Sequence, residues 1–119
     1  MSRSTLPLSD KMLDLVAHRF RMLGDRTRLR LLQCLGSGGK SVNEITALLD
    51  GNQPNISKHL QALSDAGMVH RSRSGNRIYY SIADPVVFKL CALVCHSAGE
   101  RARSELQELL TTKPKRLRR

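Results

Sequence analysis

Along the first third of the chain, apolar residues return every three or four positions. Met12, Leu13, Val16, Phe20 and Leu23 form one stripe of a helix over 11–23, which Gly24 interrupts. Asp25 is placed to cap a second helix whose apolar positions are Leu29, Leu31, Leu32 and Leu35, and the flexible Gly36-Ser37-Gly38-Gly39 ends it. Ser41-Val42-Asn43-Glu44 has the form of a capping box, in which the serine oxygen takes the third amide and the glutamate reaches back to the serine amide. A third helix therefore starts at Val42, carries Val42, Ile45, Leu48 and Leu49 inward, and stops at the turn-forming Asp50-Gly51-Asn52.

Pro54 fits the first turn of a fourth helix, where its missing amide costs nothing; Ile56, Leu60 and Leu63 mark the buried face and Gly67 ends it. Two helices joined by so short a glycine turn make a helix-turn-helix over about 41–67. Strand-like segments at 69–73 and 77–82, separated by Ser74-Gly75-Asn76, predict a hairpin wing over about 69–82. Asp84-Pro85 caps a last helix that runs to about Leu110, before Lys113-Pro114. Its stripe of Val87, Cys91, Val94, Cys95, Ala98, Ala102, Leu106 and Leu109 is longer than a core of this size covers, and a second copy of the chain would bury the excess. The expected fold is mainly α with a β-hairpin wing: a winged helix-turn-helix of five helices spanning 11–110, with a helical dimer interface at 84–110. A flexible arm over 1–10 and a basic, disordered tail over 111–119 flank it.

Composition narrows the function. The 119 residues suit one domain and leave no room for a second, catalytic one. Only two Phe and two Tyr are present, so the core must be aliphatic, which favours helices. A formal net charge of +10 argues for a polyanionic partner, because each cation seated on a phosphate releases condensed counterions. The cations cluster at Arg26, Arg28 and Arg30, at Arg71, Arg73 and Arg77, and in the tail. No run approaches the roughly 18 apolar residues of a membrane span, and 1–10 lacks the apolar centre of a signal peptide, so a cytoplasmic protein with no membrane partner is expected. Three cysteines are no disulfide framework in such a compartment. No nucleophile elbow and no phosphate-cradling glycine loop is present, which argues against an enzyme.

The outward face of the fourth helix offers Gln53, Asn55, Ser57, Lys58 and His59. Gln and Asn can pair bidentately with adenine, Ser and His can bond bases or phosphates, and Lys serves phosphate or guanine. Such a face could equally be a solvated one. The arginine-bearing hairpin directly after it, able to lie on the backbone or in the minor groove, favours duplex DNA. A basic binder indifferent to sequence is the rival reading.

Leu23-Gly24-Asp25-Arg26-Thr27-Arg28-Leu29-Arg30-Leu31-Leu32, the run 53–63 of the form Gln-x-x-Ile-Ser-x-His-Leu-x-x-Leu, Ala66-Gly67-Met68-Val69, and 75–82 together resemble the ArsR/SmtB repressors over about 16–98. The resemblance implies a homodimer clamped by its first and last helices, which represses promoters until an effector loosens its grip; the spare apolar stripe on the last helix, which makes the reader a pair, calls for an inverted-repeat operator. The family's known effector sites can be tested here. The arsenical type needs two cysteines in the third helix, where Thr46, Ala47 and Leu48 follow Glu44-Ile45; the zinc type needs histidines where Val86 and Ser97 stand. Asp84 then reads as a helix cap and Glu100 as a surface charge. What remains is Cys91 and Cys95, four apart and so about 6 Å from each other on one helical face, with Cys34 elsewhere. They are candidate sensors of reactive sulfur or oxidants, or candidate ligands of a thiophilic metal or metalloid ion, the only cofactor in view. Alternatively, all three are small apolar residues of buried stripes.

Overall fold

The computed structural model describes residues 8–111. Its elements follow in the order α1 (Asp10–Leu23), α2 (Arg26–Leu35), β1 (Lys40–Ser41), α3 (Val42–Leu49), α4 (Gln53–Asp65), β2 (Val69–Ser74), β3 (Arg77–Ile82) and α5 (Pro85–Thr111). This is a winged helix-turn-helix. The chain divides into two compact units between Phe88 and Lys89. The first holds everything up to the opening turn of α5; the described part of the second is the rest of that helix. The residues expected to form the basic tail from 112 onward lie outside the described residues, as does most of the expected N-terminal arm.

Local chemistry sets the helix starts. Ser9 Oγ accepts from the Met12 amide at 3.1 Å, so α1 begins at Asp10, one residue before the expected start at Lys11. Asp25 Oδ2 accepts from the Arg28 amide at 3.0 Å, and Asn52 Oδ1 from the Asn55 amide at 3.0 Å. The capping box of α3 is complete: Glu44 N donates to Ser41 Oγ at 3.1 Å while Ser41 N donates to Glu44 Oε1 at 2.8 Å. Asp84 caps α5, its Oδ1 accepting from the Val86 amide at 3.0 Å. Each cap satisfies an amide that the first helical turn leaves without a carbonyl partner.

The core of the first unit is aliphatic. Leu31, Leu32 and Leu35 of α2 meet Ile45 of α3 and Ile56, Leu60 and Leu63 of α4, with Met68 and Tyr80 closing the base of the hairpin. Full burial of each such side chain contributes about 1.5–3 kcal/mol. One inward assignment is corrected: Leu48 is exposed. Leu29 is exposed as well, and α1 buries only Met22 and Leu23, leaving Met12, Leu13 and Phe20 open. The apolar stripes of these helices are wider than the strip their neighbours cover. Of α5, Val87 alone is buried, and Leu93, Val94, Leu106, Leu109 and Leu110 are all exposed.

The sheet holds one strand that periodicity does not reveal. β1 is only two residues long and pairs antiparallel with β3, Lys40 with Tyr80 and Ser41 with Tyr79, giving the order β1-β3-β2. It ties the start of α3 to the wing. Gly75 turns the hairpin at φ +64 between the paired Ser74 and Arg77. Asp50 is the only non-glycine residue with positive φ among those described, so the turn places its glycine first, as a type II′ hairpin requires.

Candidate nucleic-acid interface

The turn between α3 and α4 determines how the fourth helix is presented. Asp50 adopts the left-handed conformation at φ 50 and ψ 48, and the chain then runs so close to α4 that a Cβ on Gly51 would sit 2.7 Å from Ile56 Cδ1. Asn52 spends its side chain on the cap, and Pro54 follows in the first turn. With Ile56, Leu60 and Leu63 buried at helical spacing, Gln53, Asn55 and Lys58 emerge exposed and Ser57 half-buried.

The five residues assigned to the reading face do not all share it. Gln53 and Ser57, one turn apart, open on a recess of about 210 Å³ whose other walls are Ser41, Val42, Asn43, Asn76, Arg77 and Ile78. This recess brings together the N-terminal turns of α3 and α4 and one side of the wing. Asn55 and Lys58 lie on the outward crest of α4. His59 corrects the sequence expectation: its side chain is only 18% exposed, and its Nδ1 accepts from Arg28 Nε of α2 at 3.2 Å. Two residues further round the helix than Ser57, it falls on the opposite flank, where α2 covers it.

The wing arginines also divide. Strand register pairs Arg71 with Tyr80 and Arg73 with Ile78, whereas Arg77 pairs with Ser74. Because side chains alternate across a strand, Arg71 and Arg73 stand on one face of the hairpin and Arg77 on the other, beside the recess. All three are exposed, and Arg73 Nε donates to the Gly75 carbonyl at 3.3 Å across the turn. Asn43 and Asn76, which the sequence reading treats as cap and turn residues, are the polar groups that join this surface.

Glu44 is the acidic counterweight of the region. Hydrogen bonds from the Ser41 amide and hydroxyl, with the charges of Lys40 and Arg77 nearby, hold its carboxyl below the usual glutamate value. It therefore stays ionised and capped on α3 at any pH near neutrality.

The candidate sensor thiols are placed as follows. Cys34 is half-buried on α2, in the first unit; Cys91 is half-buried and Cys95 exposed on α5, in the second. Burial and the neighbouring Cys95 push the Cys91 thiol up, so it remains protonated beyond the ordinary range of a free cysteine. Among the described residues, no group of three or more His, Cys, Asp or Glu side chains is arranged to hold a metal ion. Asp84 is paired with Arg19 at 2.9 Å besides capping α5, and Glu100 meets Arg103 at 3.4 Å on the surface. No described helix is long and apolar enough to cross a membrane.

A helix-turn-helix domain pattern matches residues 23–72, which contain α2 to α4 and the start of the wing. A probable mercury resistance operon repressor of Streptomyces lividans is 38% identical over 89 residues, 75% of this chain and 71% of that protein. The homodimeric winged helix-turn-helix DNA-binding domain of Mb0332 from Mycobacterium bovis, described as a possible ArsR-family transcriptional regulator, superposes with a TM-score of 0.72. It is 34% identical, over 83% of this chain and 92% of that one. This chain belongs to the ArsR family. The antimony-specific transcriptional repressor AntR is 30% identical with a TM-score of 0.76, over 85% of this chain and 92% of its own. The ArsR family consists of DNA-binding transcriptional regulators and not of enzymes.

Proposed function

We propose that this ArsR-family chain is a homodimeric, cytoplasmic repressor that reads a specific duplex operator with α4 and the wing. The observation that carries the reading is the recess on which Gln53, Ser57 and Arg77 open together, with Asn55 and Lys58 exposed beside it. Amides and a hydroxyl at the start of a helix suit base edges in the major groove, while Arg77, Arg71, Arg73 and Lys58 meet phosphates around them. The exposed apolar residues Met12, Leu13 and Phe20 of α1 and Leu93, Leu106 and Leu109 of α5 support a second copy as their cover. The homodimeric state of the Mycobacterium bovis domain supports it as well. Two copies related by a two-fold axis require an inverted-repeat operator with half-sites a helical turn, or a multiple of it, apart.

The test is a gel-shift competition between the chain's own promoter DNA and a scrambled duplex at moderate salt. Tight binding to the promoter and much weaker binding to the scramble are expected; equal affinity for both would overturn sequence-specific repression in favour of charge alone.

The effector reading rests on thiols. The relatives named for mercury resistance and for antimony support it, since both elements are thiophilic. Among the described residues of one chain, no three donors are arranged to hold a metalloid. Cys91 and Cys95, one turn apart on α5, are the pair through which a thiol-directed agent would act. Release of promoter DNA is to be measured with arsenite, antimonite, zinc, a persulfide and peroxide, on the wild type and on Cys34→Ser, Cys91→Ser and Cys95→Ser. Release that disappears in a Cys91 or Cys95 variant is the expected result. Release by none of the agents would leave all three cysteines as packing residues.

A further inference from the structure

Arg28 ties together three elements around α4. Its Nη1 lies 3.4 Å from both the carbonyl oxygen and the Sδ of Met22 at the end of α1. Its backbone amide donates to the cap oxygen Oδ2 of Asp25 at 3.0 Å, and its Nε donates to His59 Nδ1 on α4 at 3.2 Å. The same Asp25 oxygen stands 4.0 Å from that His59 nitrogen. Nδ1 can accept from the Arg28 Nε–H only where it carries no proton of its own.

We infer that Arg28, acting through His59, is a positioning residue that fixes the rotation of α4 about its axis and so sets which base edges Asn55, Ser57 and Lys58 can reach. The inference rests on the reading of α4 as the DNA-reading helix. Its physical ground is the difference between two kinds of contact on that helix. Ile56, Leu60 and Leu63 anchor α4 to the core through apolar burial, which is non-directional and tolerates a small roll of the helix. A hydrogen bond weakens steeply as its angle departs from linear, and His59 makes one on the flank that packs against α2, where a roll would turn it away from Arg28. Bidentate base contacts on the opposite flank and the crest need the same angular precision. Arg28 itself is half-buried and already engaged on α1 and α4, which separates its role from that of the exposed wing arginines.

The experiment uses the full chain. A preferred duplex is selected from a random pool with the wild type. Affinities for that duplex and for its scramble are then measured over a salt series for Arg28→Met, His59→Leu and His59→Asn, with thermal melting in parallel. Asparagine Oδ1 can stand where His59 Nδ1 stands and accept from Arg28; leucine cannot. Expected are a fall of about tenfold in the ratio of selected to scrambled affinity for Arg28→Met and His59→Leu, an unchanged salt slope, and recovery of most of the ratio in His59→Asn.

A ratio that stays at the wild-type value in folded His59→Leu would overturn the inference. So would a loss of equal size for both duplexes that follows the folded fraction, since that marks a purely structural bond. A salt slope reduced by about one with the ratio retained would make Arg28 a direct phosphate contact instead. A pool that enriches no sequence would overturn the reading of α4, and the inference with it.

Discussion

At the scale of single residues, this structure shows how one type of side chain takes different work from its surroundings. Five residues of α4 look equivalent as polar side chains in a row, yet Ser57 faces the recess, Lys58 the solvent and His59 the α2 helix. The charge of Glu44 is another such case. Its carboxyl is held below the usual glutamate value by Ser41, Lys40 and Arg77, so the folded state favours the ionised form. The stability this adds is present above the ordinary glutamate pKa and is lost as pH falls through the depressed one. Glu44→Gln, which keeps the capping hydrogen bond and removes the charge, should therefore lower Tm at pH 7, and the gap to wild type should close as the pH is brought below the usual carboxylate range. A gap that is constant across a calorimetric pH series would show that the charge contributes nothing. Cys91 has the opposite sign: its raised thiol pKa favours the neutral form, so that contribution is present at neutral pH and is lost as pH rises through the raised value.

At the scale of elements, the wing is the part whose form depends most on one residue. Gly75 holds φ +64 with open space around it, so a side chain there meets no neighbour and the cost is one of backbone conformation alone. Gly75→Val should destabilise the hairpin by about 1–3 kcal/mol, the ordinary cost of a non-glycine residue in a sparsely populated backbone region. Urea unfolding would read the loss. The same variant should weaken DNA binding through Arg71, Arg73 and Arg77 while leaving helical circular dichroism intact; unchanged DNA affinity would separate the wing from recognition. The two-residue strand β1 acts at this scale too. By pairing Lys40 and Ser41 with β3, it holds the capping serine of α3 against the wing and so builds one wall of the recess.

At the scale of the whole molecule, the proposed dimer accounts for apolar surface that one copy leaves open, most plainly Leu106 and Leu109, which are 56% and 78% exposed. Leu106→Glu combined with Leu109→Glu should shift the protein to monomer in sedimentation and reduce affinity for a full inverted repeat by on the order of 10²-fold. The loss should be far smaller on a single half-site, because only the linkage of two reading units is removed. A double variant that remains dimeric would place the interface elsewhere. Much of this molecule was legible in local patterns. Caps, glycine turns and helical spacing within a dozen residues determined all five helices, the hairpin and the turn that presents α4, because those signals are satisfied by neighbours in sequence. Net charge and the polar run 53–59 located the candidate interface in the same way. What only the tertiary structure decided depended on residues far apart in the chain. Pairing across some forty residues created β1, packing against α2 drew His59 off the outward face of α4, and strand register parted Arg77 from Arg71 and Arg73. Helical periodicity says that a face is apolar or polar, but which neighbour covers it is settled by packing, and that is why Leu48, Phe20 and His59 each ended on a side their own sequence did not specify.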